Sequence, residues 1–200
     1  SGLGARNRAS DPHLWLPYLV YHYIEATGDS SILDEEVPFL ERRRIPRDRE
    51  GVMFAPRQAP DSAKLYIHCI KAVNLTLARL GAHGLPLLGT GDWNDGLSLV
   101  GFRGRGESVW LGFFLYDIIM HFAPFVGSRE GEARKKYYLD RAAQLRQALD
   151  AMWRDGRYVR AITDTGEEMI FADALNAAWP AISGAADFDH SAAAVEHGLR

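Results

Sequence analysis

The chain has 200 residues, 47% of them hydrophobic, and a formal net charge of −3. That is enough apolar material for one ordinary core, and the near-neutral balance offers no basic surface to nucleic acid or to an anionic membrane. A single cysteine, Cys69, excludes an internal disulfide.

In chain order, residues 12–27 read as an aromatic, apolar helix that starts at Pro12 and stops at Gly28. A short helix is expected over 30–40. Residues 41–60 are charged and proline-containing, and read as a connector; the arginine run Arg42, Arg43, Arg44 and Arg47 is either its solvated face or a phosphate or partner site. Residues 62–80 place Leu65, Cys69, Ile70, Val73, Leu77 and Leu80 on one helical stripe, with Asp61 or Ser62 as cap. Cys69 therefore reads as a buried, inert thiol.

Residues 82–107 are glycine-rich and long for a connection, and such loops in compact domains tend to be functional. Ser108 caps a helix over 109–123, which Pro124 is expected to end or break. A polar-outside helix follows over 129–153, carrying Ala133, Tyr137, Leu145, Leu149 and Met152. Asp155-Gly156 signals a turn, Tyr158, Val159 and Ile162 a short strand, and Asp164-Thr165-Gly166 another turn. Two further helices are expected over 173–184 and 188–199. The sum is an all-α chain of six or seven helices with minor β. Residues 109–126 come nearest to a membrane span, but Asp117 and His121 interrupt them and favour a buried helix. The seven histidines show no metal-ligand spacing, so no metal site is expected.

The densest chemistry lies in Gly89-Thr90-Gly91-Asp92-Trp93-Asn94-Asp95-Gly96. Two carboxylates, an indole and an amide stand in four consecutive residues between glycines, on what reads as a tight loop. An indole face stacks on the apolar face of a sugar, carboxylates and amides bond its hydroxyls, and one carboxylic acid can protonate a glycosidic oxygen. The same residues also make an Asx-rich turn with a Trp anchor.

Three segments in this order and spacing carry a resemblance: Gly4-Ala5-Arg6-Asn7-Arg8-Ala9-Ser10-Asp11-Pro12-His13-Leu14-Trp15-Leu16-Pro17-Tyr18, Gly81-Ala82-His83-Gly84-Leu85-Pro86-Leu87-Leu88 running into the loop above, and Gly104-Arg105-Gly106-Glu107-Ser108-Val109-Trp110-Leu111-Gly112. Together they resemble the inverting disaccharide phosphorylases, the family of cellobiose and chitobiose phosphorylases. The stretch Leu97-Ser98-Leu99-Val100-Gly101-Phe102 most resembles the phosphorylase-like domain of bacterial cyclic β-1,2-glucan synthases.

The resemblance implies an (α/α)6 barrel with long loops, of which residues 1–200 would be about half: a single partial catalytic domain, cut at both ends. It implies phosphorolysis of β-glucosidic bonds to α-glucose 1-phosphate, with Asp95 as general acid. It places Trp93, Arg6, Asp11, Asp92, Asn94 and Glu107 around the sugar. Arg6 is equally readable as a structural ion pair, and Glu107 as a charge that suits a helix N-terminus. No cofactor is implied, since inorganic phosphate is the co-substrate. The implied partners are a β-glucan oligosaccharide and phosphate, with self-association through unpaired helix faces, and a cytoplasmic location in a parent that can be anchored to the inner membrane.

Two departures from the family pattern stand out. Pro12 replaces a second carboxylate after Asp11, and Ala177 and Ala178 stand where relatives carry Gln before the Trp179 position. The family's phosphate-binding His and Thr would fall beyond Arg200. A non-catalytic glucan-binding module that keeps Trp93 is the alternative reading.

Overall fold

The computed structural model describes residues 2–41, 43–46, 49–171 and 173–198, and the backbone alone at Asp95. Arg42 and Arg47 of the charged run lie outside the described residues.

Six α-helices carry the fold: α1 (Trp15–Thr27), α2 (Leu65–Leu77), α3 (Val109–Glu130), α4 (Glu132–Asp150), α5 (Ala174–Ser183) and α6 (Phe188–Gly198). Nine short strands accompany them: β1 (Gly4–Asn7), β2 (Glu36–Leu40), β3 (Gly51–Phe54), β4 (Gln58–Lys64), β5 (Glu107–Ser108), β6 (Trp153–Arg154), β7 (Arg157–Tyr158), β8 (Ala161–Ile162) and β9 (Glu168–Met169). They form four small sheets, β1-β3, β2-β4, β5-β8-β9 and β6-β7, all antiparallel. The chain is therefore mainly helical with more strand than an all-α reading allows.

Most of the extra strand lies where a helix over 30–40 and a loop over 41–60 were expected. Ser30–Asp34 is a 3-10 turn, and β2 then pairs with β4 from Glu36 against Lys64. The pairing partners are 18 to 28 residues apart, so local pattern could not announce them. The same pairing moves the start of α2 from residue 62 to Leu65, because residues 62–64 stay in the sheet. The predicted turn at Asp155-Gly156 joins β6 to β7.

Helix α3 is the core of the molecule. It is apolar around its whole circumference, and such a helix needs neighbours on every side. Trp110, Phe113, Phe114, Leu115, Ile118 and Phe122 are all buried. By length and composition α3 could cross a membrane; here the other helices bury it. Its one buried carboxylate, Asp117, accepts a hydrogen bond from the Tyr21 hydroxyl of α1 at 2.5 Å. Pro124 does not end α3, which runs on to Glu130. Pro124 lies on the exposed side of the helix.

Contacts between side chains fix the helix directions. Trp15 meets Phe114 and Tyr21 meets Asp117, so α1 and α3 run the same way. Leu149 of α4 packs at Gly112, and Lys135 at Gly127, so α4 runs back along α3. Tyr66, at the start of α2, donates to Glu130 at the end of α3. Ala177, early in α5, lies against Gly198, the last residue of α6. The chain is thus three successive helical hairpins, with α1, α3 and α5 starting at one end of the molecule. On α4, Tyr138, Ala142, Leu145 and Leu149 form the buried stripe, and Tyr137 faces outward instead.

The α3–α4 hairpin is close because Gly112 has no side chain. A Cβ there would lie 2.9 Å from Leu149 Cδ2 and 3.2 Å from Leu85 Cδ2. Gly112→Val overpacks this contact and is expected to destabilise the fold by about 2 kcal/mol, measured by urea unfolding of the variant against wild type.

Candidate active site

The three sequence segments singled out above meet at the shared starting end of α1, α3 and α5. The first is zipped to the second by backbone bonds: Ser10 N donates to Gly91 O at 2.9 Å and Thr90 N to Arg8 O at 3.3 Å, beside a bridge between Ala9 and Gly89. The second is zipped to the third: Leu88 N donates to Gly106 O at 2.8 Å and Ser108 N to Pro86 O at 2.9 Å. The loop from Gly89 to Leu97 is held between its two neighbours.

Asp92 faces inward from this loop and is 2% exposed. Its carboxylate accepts two bonds from Arg160, Nη1 to Oδ2 and Nη2 to Oδ1, both at 2.7 Å. Oδ2 also accepts from Ser108 Oγ at 2.5 Å, and Oδ1 from Asn94 N at 3.0 Å. Arg160 itself is 0% exposed and donates its Nε to Asp173 Oδ2 at 2.5 Å. Burial alone would lower the Arg160 pKa, and the two carboxylates outweigh it and raise it, so the guanidinium stays charged. Asp173 in turn caps α5, accepting from Leu175 N and Asn176 N. Asp92 thus lies within the frame beneath the loop.

Asn94 closes a second local turn, its Oδ1 accepting from Gly96 N at 2.9 Å. Asp95 begins the 3-10 turn Asp95–Leu97, between these two side chain–backbone bonds; its side chain lies outside the described residues. Trp93 is 55% exposed and leans on Trp15, ring centroids 5.3 Å apart. Trp15 packs on Phe114 and donates its indole N–H to Asp11 Oδ2 at 2.8 Å. The chain Asp11–Trp15–Trp93 therefore presents one indole face to solvent. Asp11, 6% exposed, stands at the inner end of that chain.

Glu107 is 1% exposed and binds the turn below the loop. Its carboxylate accepts from His83 N at 3.2 Å and Leu85 N at 3.1 Å, and His83 Nδ1 lies 2.7 Å from Oε1. A side chain on Gly81 would collide with this carboxyl, which explains the glycine. Asp164 does similar work on residues 103–106, accepting from the N–H groups of Arg103, Arg105 and Gly106 at 2.6, 2.8 and 2.9 Å. Burial would raise its carboxyl, and the three donors outweigh that and lower its pKa.

Arg6, on β1, lines a different feature: a cleft of about 950 Å³ shared with Arg8, His13, Arg43, Arg44 and Arg79. Such a concentration of guanidinium groups makes a positive field for an anion. The structure thus links Asp11 and Trp93 through Trp15, with Asp92 and Asn94 in the same loop as Trp93 and Glu107 binding the turn beneath. Arg6 lies in the arginine cleft instead. Sequence reasoning did not single out Arg160 or Ser108 as partners of Asp92, nor Asp173 as the second partner of Arg160. A lone arginine at the end of a short strand carries no local signal; its partners are 68 and 13 residues away. Among the described residues no group of three His, Cys, Asp or Glu side chains is arranged to hold a metal.

The model for the glycosyl hydrolase 94 superfamily catalytic domain matches residues 2–177. The chain belongs to this family. It is 34% identical over 203 aligned positions to the cyclic beta-(1,2)-glucan synthase NdvB of Rhizobium meliloti (strain 1021), covering 96% of this chain and 7% of that protein. It is 34% identical to a solabiose phosphorylase of Paenibacillus borealis, over 80% of this chain and 19% of that one. It is 26% identical to an N,N'-diacetylchitobiose phosphorylase of Vibrio furnissii, over 83% and 18%. The chain thus spans less than a fifth of these relatives. Among solved structures, a rhamnosidase from Klebsiella oxytoca with rhamnose bound superposes with a TM-score of 0.60 at 16% identity. That match covers 95% of this chain and 30% of the rhamnosidase, a likeness of fold.

His13 joins the cleft to the core. Its Nε2 lies 2.8 Å from Thr76 Oγ1, and burial, aided by Arg79, lowers its pKa from 6.5 to about 4. The folded state therefore keeps His13 neutral where the unfolded chain would protonate it. Its contribution to stability is full above pH 6.5 and is lost as pH falls toward 4. His13→Gln is expected to remove about 2 kcal/mol of the stability difference between pH 6.5 and 4, read from urea midpoints of both proteins across that range.

Proposed function

We propose that this chain is the acid-bearing part of an inverting phosphorylase domain acting on β-glucosidic bonds, within a cyclic β-1,2-glucan synthase in which it controls chain length. The observation that carries the reading is the half-exposed Trp93. It is braced by Trp15 and Asp11 on a loop fixed at both ends, with Asp95 two residues on. A rigid exposed indole beside an acid-bearing turn is what a sugar ring and its glycosidic oxygen require. Similarity to the glucan synthase NdvB over nearly all of the chain supports the glucan, and similarity to phosphorylases supports the reaction. We further infer that the three helical hairpins are half of an (α/α)6 barrel, since such hairpins, their first helices starting together, are its repeating unit.

In this reading Asp95 donates a proton to the leaving glycosidic oxygen. Phosphate attacks the anomeric carbon from the opposite face, that C–O bond breaks, and α-glucose 1-phosphate leaves with inverted configuration. One protein carboxyl suffices, because phosphate replaces the base-activated water of an inverting hydrolase. Trp93 stacks on the sugar, and Arg6 and Asp11 serve the non-reducing-end glucosyl unit. Asn94, Asp92 and Glu107 act through the loop they fold. The arginines around Arg6 supply positive potential toward the anionic co-substrate.

The test uses the full-length protein, β-1,2-glucan oligomers and inorganic phosphate, with glucose 1-phosphate as readout. Asp95→Asn is expected to lower kcat by about 10²–10⁴-fold with glucan affinity retained, and Trp93→Ala to weaken glucan binding measured by calorimetry. Near-normal turnover of Asp95→Asn removes Asp95 as the acid. Glucan binding with no phosphorolysis by the wild type leaves a binding module instead.

A further inference from the structure

Arg160 is placed as few arginines are. Its backbone is fixed on both sides, its N–H donating to Met169 O at 2.8 Å and its carbonyl accepting from Val109 N at 3.3 Å. Its side chain is 0% exposed, and each of its three guanidinium nitrogens has a carboxylate partner. Through Asp92 it reaches the Trp93–Asp95 turn, because Asp92 Oδ1 accepts from Asn94 N and Asp92 Oδ2 from the α3 cap Ser108. Through Asp173 it reaches the first turn of α5. One planar group thus joins the loop, the start of α3 and the start of α5.

A buried ion pair adds little net stability over an apolar side chain of similar volume, because desolvation offsets the attraction. What an apolar side chain cannot do is hold two carboxylates, from two segments, at fixed angles. The guanidinium fork can, and a lysine ammonium cannot match it.

We propose that Arg160 is a positioning residue for the acid loop. It fixes Asp92, and through it the Asn94 amide that sets the direction in which the Asp95 turn leaves the frame. Its effect falls on the chemical step rather than on capture of phosphate. The kinetic part of this proposal rests on the phosphorylase reading above; the structural part rests on the hydrogen bonds alone.

The experiment compares Arg160→Lys and Ser108→Ala with wild type in the full-length protein. It measures phosphorolysis kinetics and hydrogen exchange of individual amides. Arg160→Lys keeps the charge and loses the fork. It is expected to lower kcat by about 10–100-fold, the scale of a displaced catalytic group, with the KM for phosphate unchanged. Exchange at the Asn94 and Gly96 amides is expected to speed up, while that of the α3 core residues Phe113 to Ile118 stays slow. Ser108→Ala is expected to shift both readouts the same way by a smaller factor. Wild-type kcat and exchange in Arg160→Lys would overturn the proposal. So would faster exchange throughout α3, which marks a role in stability only, or a raised KM for phosphate at constant kcat. An inactive wild type would sink the phosphorylase reading, and the exchange comparison would still decide whether Arg160 holds the loop.

Discussion

The buried contact of Arg160 with Asp92 and Asp173 is the constraint on which the arrangement of this chain depends. Removing one partner from a buried pair leaves an uncompensated charge in low dielectric, typically at a cost of about 3–5 kcal/mol. Two carboxylates and one guanidinium therefore have to find each other whenever the chain folds. Doing so brings the loop at 89–97, the cap of α3 and the cap of α5 to one place. The helices then run away from that place, α1 and α3 side by side, with α2, α4 and α6 returning.

Around this polar centre the packing is aromatic. Trp15, Tyr18, Phe114, Trp110 and Trp179 touch in succession, and Trp93 is the member that reaches solvent. Large rigid rings bury much area at low entropic cost, and they transmit the position of the core to the surface indole. The carboxylates nearest the loop divide their work accordingly. Asp11 is buried against the Trp15 indole, Asp92 and Glu107 are buried and hold backbone N–H groups, and Trp93 is the exposed side chain of the segment. A site built this way keeps its reactive groups few and its supporting hydrogen bonds many.

Much of the helical layout was legible beforehand. Cys69, Ile70, Val73 and Leu77 are buried as their spacing implied, Ser108 caps the helix that follows it, and Gly28 closes α1. Pro124 misled: α3 runs through it to Glu130, with the proline on the exposed side. The strands β2 and β4 were missed because their stability comes from pairing across 18 to 28 residues and not from alternation within either. For the candidate site, the Asp92–Asp95 segment announced itself by composition, and its family resemblance was carried by three separated motifs.

The sequence by itself determined the family and most of the helices, because these reside in local periodicity, capping residues and contiguous motifs. Only the tertiary structure decided which of the loop's carboxylates is structural. Asp92 and Asp95 are equivalent as letters, two ends of one four-residue motif. A guanidinium 68 positions further on claims Asp92 in the interior. Burial and pairing of a charge are properties of the folded neighbourhood, and no local pattern around Arg160 encodes which carboxylate it will meet.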